Sequence, residues 1–565
     1  MKKNIFLLLM ILGVLVTLAP AQELKSLDRV YTPIMFSGQD STGMSGLIKS
    51  EWTAYAWDMN AKTWTAIPFQ IDQVKSPGKY EHVAVDSIIH NLDEIVFMPA
   101  DVGDKAPQYD WVGEEHDTSL VRLELECTDP LAPEKKGWVY LFKNVADPDT
   151  FVNYMTYHPA ADPLHSAADK VSSPYYTIGH MDNGLFDFLA FPYSPDLDLL
   201  DRLKLRLAAS ALGQNEVIDE NKIKAKAENV GPVSPYRGEV RLFRDLRAQA
   251  EIKFLGISYQ FDVPANLHYY PYSISGDVGV DLSGAAAAFL SVKYIRLSMD
   301  HSIDAVGMTY YSTEASAMDG IAVDGIEDNP VFLNIADDVA TPRWMMTTGE
   351  QGTFFMSIKW PEVQNGETWL YYRDTGLGDG TEDGSSDTGD DQSYSDMGMW
   401  SKTTGDGLFV SELTFAYSMY FIPENVSDHA VEFAQDLLQQ HLNPVTVQVT
   451  EQHFDYPTRV TSKTAQPATF ELEHAYPNPY QVGKGQQVRF DLVSNRSDNN
   501  LDLIIYNVLG QQVRRFNRIN TRAGVKQSVL WDGRDMNGIS VSPGLYFYKL
   551  AGSGRELTGK LLVID

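Results

Sequence analysis

The chain has 565 residues, with 76 acidic against 45 basic side chains, a formal net charge of -31 and a single cysteine. That length exceeds one hydrophobic core, so about two to four domains are expected. The acidity argues against nucleic acid, whose phosphates must be neutralised, and against anionic membrane surfaces; one thiol forms neither an intrachain disulfide nor a cysteine-type zinc site.

The chain opens with Lys2 and Lys3, an apolar run from Ile5 to Leu18 and the small-residue pattern Ala19-Pro20-Ala21. The run is shorter than the ~20 residues of a membrane-spanning helix. Residues 1–21 therefore read as a signal peptide, with the mature chain beginning at Gln22. No later stretch is long and apolar enough for a span, so no transmembrane segment is expected after cleavage.

Residues 22–450 read as a β-rich body. Short alternating runs lie between turn residues in "DEIVFMPAD", "KGWVYLFKN", "GTFFMSIKW" and "ETWLYYRD". Cys127, in "VRLELECTDP", reads as a small buried side chain of such a strand. The segment 194–212 suits both a helix, through Leu200, Leu203 and Leu207, and a strand, through its "RLKLRL" alternation. Residues 227–237 mark a candidate subdivision. In 250–270 the apolar positions Ile252, Phe254, Ile257, Tyr259 and Phe261 change phase at Gly256, which predicts a bulge or bend. One helix is expected over 425–444: Ala430, Val431, Ala434, Leu437, Leu438 and Leu442 share a stripe, Ser427 caps it and Pro444 stops it. The expected architecture is mainly β, a large antiparallel β-sandwich-like body followed by a small immunoglobulin-like β-sandwich.

Two acidic stretches interrupt the body. In 374–396, Asp379, Thr381, Asp383, Asp387 and Asp390 stand at positions 1, 3, 5, 9 and 12 of a calcium-loop spacing, with Gly384 at position 6. Hard cations prefer such oxygen donors, so Ca2+ is the candidate cofactor. Position 12 is the shorter Asp390, and the flanks read as strands, so a hydrated acidic loop is the competing reading. The second stretch, 318–330, holds Asp319, Asp324, Glu327 and Asp328, and its two Asp-Gly pairs read first as turns.

Residues 451–469 lack a sustained period and read as a linker. Beyond them, "FELEHAYPNPYQ" opens a compact β-pattern. Pro477 and Pro479 bias Tyr476 and Asn478 towards extended backbone. Val488, Phe490 and Leu492 share a face, Leu501, Leu503 and Ile505 another, and Asn507 to Gly510 turn the chain. About seven short strands in ~95 residues suit an immunoglobulin-like sandwich.

The phrases "AYPNPY", "IIYNVLGQQVRRF", "WDGRDMNGISVSPGLYFY" and "TGKLLVID" make 470–565 resemble the C-terminal sorting domain of the type IX secretion system and the related FlgD-type immunoglobulin-like domain. The matching positions are Tyr476, Pro477, Asn478, Pro479, Gly510, Trp531, Asp532, Gly533, Gly544, Tyr546 and Lys560. The resemblance implies passage through outer-membrane secretion machinery of a Gram-negative bacterium, followed by release or cell-surface attachment. The chain departs from many such tails in ending on Asp565 rather than on basic residues. In the body, "IPFQID" (67–72) and "DEIVFMPADVGDKAP" (93–107) resemble phrases of secreted bacterial β-rich proteins, which lend no activity.

The body carries no nucleophile-elbow, metalloprotease, phosphate-loop or dinucleotide motif. Two function classes stand. The first is an exported protein with a binding or structural body. The second is a secreted polysaccharide-active enzyme using paired carboxylates, with glycan as ligand. A catalytic pair cannot be chosen from sequence among 76 acidic residues.

Overall fold

The computed structural model describes residues 23–564 except 41–43, 82–85, 109, 113–120, 144–152, 160–168, 212–213, 226–239, 255, 281–290, 315–316, 378–387, 406, 409–412, 454–469, 473–474, 483, 495–497, 523–524 and 553–554. The expected signal peptide, the candidate subdivision and most of the expected linker lie outside the described residues. Two compact units divide the chain, Met1–Pro457 and Thr458–Asp565. Strand dominates both, and among the described residues the pairing is antiparallel except for one short parallel pair in the second unit.

In the first unit, two sheets form the larger sandwich. The nine-stranded sheet runs, edge to edge, through Ile223–Ala225, Leu242–Phe254, Ile257–Tyr269, Ser273–Val280, Leu413–Ile422, Gly352–Lys359, Arg343–Gly349, Thr309–Ser312 and Ile321–Ala322. The five-stranded sheet runs through Gln214–Ile218, Leu200–Ala211, Ser291–His301, Ser393–Thr403 and Gly366–Thr375. Their facing side chains alternate along each strand, as period two requires. Leu203, Leu205, Leu207, Leu297, Met299, Met397 and Met399 share one core with Phe354, Met356, Phe415, Met419 and Phe421.

The segment that suited both helix and strand is thus the strand Leu200–Ala211, where burial of alternate leucines outweighs helix propensity. Gly256, expected at a bulge or bend within one strand, sits in the chain reversal between two. Its φ is +78°, and Phe254 pairs with Ile257 across the turn. The shift in phase came from two strands meeting at a turn, not from one bending.

A smaller sandwich is built from the N-terminal part. Ile34–Ser37, Glu94–Phe97 and Gln70–Asp72 form three strands. They face a five-stranded sheet of Thr446–His453, Val121–Asp129, Ala132–Lys143, Trp52–Asp58 and Thr63–Ala66. Its core holds Ile34, Phe36, Ile71, Ile95, Phe97, Leu123, Leu125, Val139 and Leu141, with Cys127 fully buried among them. The strand Thr446–His453 pairs with Val121–Asp129 and extends three residues into the stretch expected as a linker.

Buried charge ties the smaller sandwich to the larger. Arg241 Nε donates to Asp72 Oδ2 and its NH2 nitrogen to Glu94 Oε2, each at 2.8 Å. Gln70 Oε1 accepts from the backbone nitrogens of Val240 and Arg241, at 3.2 and 3.0 Å, while its amide donates to Asp72 Oδ1 at 2.7 Å. Tyr80 and Phe243 stack at 4.2 Å, and the guanidinium lies over both rings. Burial opposes ionisation of Glu94, but the Arg241 charge and hydrogen bonds from Arg241 and Tyr80 outweigh it and hold its carboxyl below the usual range.

The helix Ala430–Leu442 packs Ala430, Ala434, Leu437 and Leu438 against Trp344, Met346, Phe355 and Tyr420 on the outer face of the nine-stranded sheet. Asn425, not Ser427, supplies the side-chain acceptor at its approach, taking the Ser427 N–H at 3.0 Å. Ser427 itself lies in a 3-10 turn, Ser427–His429. Arg29 closes the other end, donating to the carbonyls of Gln440 and Asn443 while pairing with Asp129.

The second unit is a sandwich of three strands, Phe470–Leu472, Val488–Ser494 and Gln527–Trp531, and five, Tyr480–Gln481, Arg555–Ile564, Gly544–Gly552, Asp498–Asn507 and Gln512–Thr521. Val488, Phe490, Leu492, Leu501, Leu503, Ile505, Trp531, Tyr546, Tyr548, Leu561 and Val563 form its core.

Replacing Arg241 by Met leaves Asp72 unpaired in the interior and removes the cation beside half-buried Glu94. Urea unfolding of Arg241→Met is expected to lose about 3–5 kcal/mol relative to wild type; a loss below ~1 kcal/mol would show that the clamp does not join the sandwiches.

Candidate functional site

In the second unit the entry segment is pinned to the sheets. Tyr476 exchanges backbone hydrogen bonds with Arg489 at 3.0 and 2.7 Å, while its side chain is 71% exposed. The Tyr476–Pro477 and Asn478–Pro479 peptides are cis. Asn478 reaches the last strand, donating to Lys560 O at 3.1 Å and accepting from Leu562 N at 2.9 Å. Trp531 is fully buried and its indole donates to Arg534 O at 2.8 Å. Asp532 accepts from Arg534 N through its side chain and from the Tyr480 hydroxyl through its carbonyl. Gly533 has φ +70° and lies against the Tyr480 ring, where a Cβ would stand 2.5 Å from a ring carbon. Gly510 takes φ +74° in its turn, Gly544 takes φ +154°, and Tyr546 is buried with its hydroxyl on Ser542 O. Hence most of these residues build the module. Tyr476, Asn478, Pro479, Gly510, Asp532 and Lys560 are exposed, and beside Lys560 runs an outward ridge of Leu545, Phe547, Leu562 and Ile564, with Leu545 opposite Leu562 and Phe547 opposite Lys560.

Of the calcium-loop residues, Asp379, Thr381, Asp383 and Asp387 lie outside the described residues; Asp390 is described. Its backbone N–H donates to Asp201 Oδ1 at 3.2 Å, and nearby Thr388 donates to the buried carboxylate of Glu220. Burial, then the charge of Asp390, pushes the Asp201 carboxyl up to about 6. Among the described residues, no three His, Cys, Asp or Glu side chains converge as metal ligands. In the second acidic stretch, Asp324 accepts from Ile326 N in a tight turn and Gly325 has φ +76°. Buried Asp374 accepts from the backbone nitrogens of Asp324 and Gly325; burial raises its pKa to about 6.

The face of the five-stranded sheet away from the core is polar yet out of solvent, with Lys204, Arg296, Ser298, Asp300 and Asp396 all buried. Lys204 pairs with Asp300, and Arg296 stands 3.6 Å from Asp396. Burial, only partly offset by Lys204, drives the Asp300 carboxyl strongly upward. These carboxylates face cations in the interior and line none of the described cavities. Trp57 opposes Trp64 with ring centroids 5.0 Å apart, and Trp64, Trp111 and Tyr140 surround Arg122.

One concave site went unread in the sequence. A cavity of about 440 Å3 lies between the C-terminal end of the helix Ala430–Leu442 and the nine-stranded sheet. Ser275, Ser418 and Ser357 form one row across three adjacent strands, because Ser418 opposes both others in register. His441 descends from the helix with Nε2 3.1 Å from Ser418 Oγ and Nδ1 2.9 Å from the Tyr420 hydroxyl. Burial lowers the His441 pKa, which keeps the ring neutral near pH 7. Lys359, Val339, Ala340, Pro342 and Leu442 complete the walls. One signal was present: His441 falls four residues after buried Leu437, on the helix's inner stripe; Ser418 lies with Thr414 and Ala416 on the mixed face of "LTFAYSMYFI" and gave none.

No family model and no curated protein matches the chain. Among solved structures it is similar to dimeric latent PorU from Porphyromonas gingivalis, at 12% identity and TM-score 0.15, over 75% of this chain and 35% of that one. It is also similar to PorZ, a surface component of the type-IX secretion system of the same organism, at 8% identity and TM-score 0.13, over 69% and 74%. Escherichia coli alpha-2-macroglobulin shows 9% identity and TM-score 0.16, over 94% and 53%. The chain spans about a third of the PorU chain's length. Likenesses at these TM-scores carry no argument about fold or function. No helix among the described residues is long and apolar enough to cross a membrane.

Because its folded pKa is raised from 3.8 to about 6, Asp201 favours the folded state when protonated. That contribution is present below pH 3.8 and is lost as pH rises through about 6. Asp201→Asn is therefore expected to be more stable than wild type at pH 7.5, on the order of 1–2 kcal/mol, with the difference gone by about pH 4. Thermal unfolding of both proteins across this range checks it; a variant less stable at pH 7.5 would mean that the ionised carboxylate is held by a partner such as a cation.

Proposed function

We propose that this is an exported protein of a Gram-negative bacterium, in which residues 470–565 form a type IX sorting module and residues 22–450 are the cargo, a β-rich body with a binding or structural role. One observation carries the reading. Thr458–Asp565 is a compact unit with its own hydrophobic core, so it can be recognised whatever the body does. The motif residues divide in a way that suits an address. Trp531, Gly533 and Tyr546 hold the sandwich together, while Tyr476, Lys560 and the Leu545–Phe547–Leu562–Ile564 ridge stay on the outside. Four exposed apolar side chains beside a lysine, on a paired terminal hairpin, offer secretion machinery a surface with both burial and charge. In this reading the signal peptide takes the chain across the inner membrane and the module takes it across the outer one, to the cell surface or the medium.

In a host carrying type IX machinery, deletion of 470–565 is expected to leave the body in the periplasm, with surface and medium signals reduced at least ~10-fold by immunoblotting of fractions. Normal delivery of the truncated chain would overturn the sorting role.

A further inference from the structure

The Ser418–His441 pair resembles half of a nucleophilic relay, but its proton arrangement points the other way. Tyr420 is 2% exposed, and among the described residues its hydroxyl has one hydrogen-bond partner, Nδ1 of His441. A buried phenol left without an acceptor is costly, so the Tyr420 O–H donates to Nδ1. The neutral ring then carries its proton on Nε2, and that N–H donates to Ser418 Oγ. Ser418 cannot hand its proton to an imidazole nitrogen that already bears one. Instead its own O–H is left to point into the cavity.

Around it the cavity offers donors. Ser357 is occupied, giving its hydroxyl to Arg343 O at 2.8 Å. Ser275 and Lys359 line the same space, and among the described residues neither has a protein partner. No Asp or Glu lines the cavity. At the negative end of the helix, Arg29 satisfies the carbonyls of Gln440 and Asn443 while its charge is balanced by Asp129, so the cation available to an anion in the cavity is Lys359. Val339, Pro342 and Leu442 form an apolar side, and the volume lies within the range of small-molecule sites.

We propose that this cavity binds a small organic carboxylate: its oxygens accept from Ser418 and Ser275 and face the Lys359 ammonium, and its apolar body lies against Val339, Pro342 and Leu442. The site binds and does not acylate.

The test uses the full mature chain and 4-phenylbutyrate as probe, with 4-phenylbutan-1-amine and 4-phenylbutanamide as controls, by calorimetric titration. Saturable binding of the acid is expected, with amide and amine each weaker by about tenfold or more. Lys359→Gln, at an exposed position that does not threaten folding, should weaken the acid by about tenfold and leave the amide unchanged. Nitrogen-15 chemical shifts of His441 should report the Nε2–H tautomer. The proposal is overturned if the acid does not saturate, if the amine binds as well as the acid, or if Lys359→Gln leaves the acid's affinity unchanged. A His441 protonated on Nδ1, or covalent labelling of Ser418 by a fluorophosphonate, would equally overturn it and point to a nucleophilic serine.

Discussion

A guanidinium withdrawn from water has to find both counter-charge and acceptors for its N–H groups. Arg241 finds them in Asp72, Glu94 and the Tyr270 hydroxyl, beneath the stacked rings of Tyr80 and Phe243. Three of these partners come from the N-terminal part of the chain. The smaller sandwich is therefore held against the strand Leu242–Phe254 by a contact that neither side satisfies alone. Gln70 completes it by taking the backbone N–H groups of Val240 and Arg241. With the return of Thr446–His453 to pair beside Val121–Asp129, the clamp explains how two sandwiches with separate cores remain one unit.

That clamp also gives a physical meaning to phrases that read only as familiar in the sequence. "FQID" supplies Gln70 and Asp72, and "DEIVF" supplies Glu94 together with core residues Ile95 and Phe97. Their spacing shows strands; their partner, 169 residues beyond Asp72, leaves no local trace. Period-two burial made the sheets legible, and the stripe of Ala430, Ala434, Leu437 and Leu438 made the helix legible, because both depend on neighbours in sequence. Leu200–Ala211 was undecided because its full length is paired as a strand only by the remote Ser291–His301, the local partner Gln214–Ile218 reaching no further back than Leu207. Candidate sites were far less readable. Ser418, Tyr420 and His441 converge only after the helix folds back over the sheet, and nothing local in the sequence marks Lys204, Arg296, Asp300 and Asp396 as buried charges.

The two units use polar chemistry in opposite ways. In the first, charged and hydroxyl groups are drawn inward, as clamps at Arg241 and Arg29 and as donors around the cavity beneath His441. In the second, the interior is almost wholly apolar and aromatic, and polar side chains serve the turns: Asp535 accepts from both Asn537 N and Ile539 N, and Asn478 secures the entry segment to the last strand. A small sandwich with its own apolar core can follow many different bodies, as the proposed sorting role would require.

The most direct measurement of that division is transplantation. A fluorescent protein carrying a signal peptide and residues 458–565 is expressed in a Gram-negative host with type IX machinery, beside the same protein lacking those residues. The account predicts that only the fusion reaches the cell surface or the medium. Retention of the fusion in the periplasm, with its tail intact and folded, would contradict the claim that the last unit is sufficient as an address.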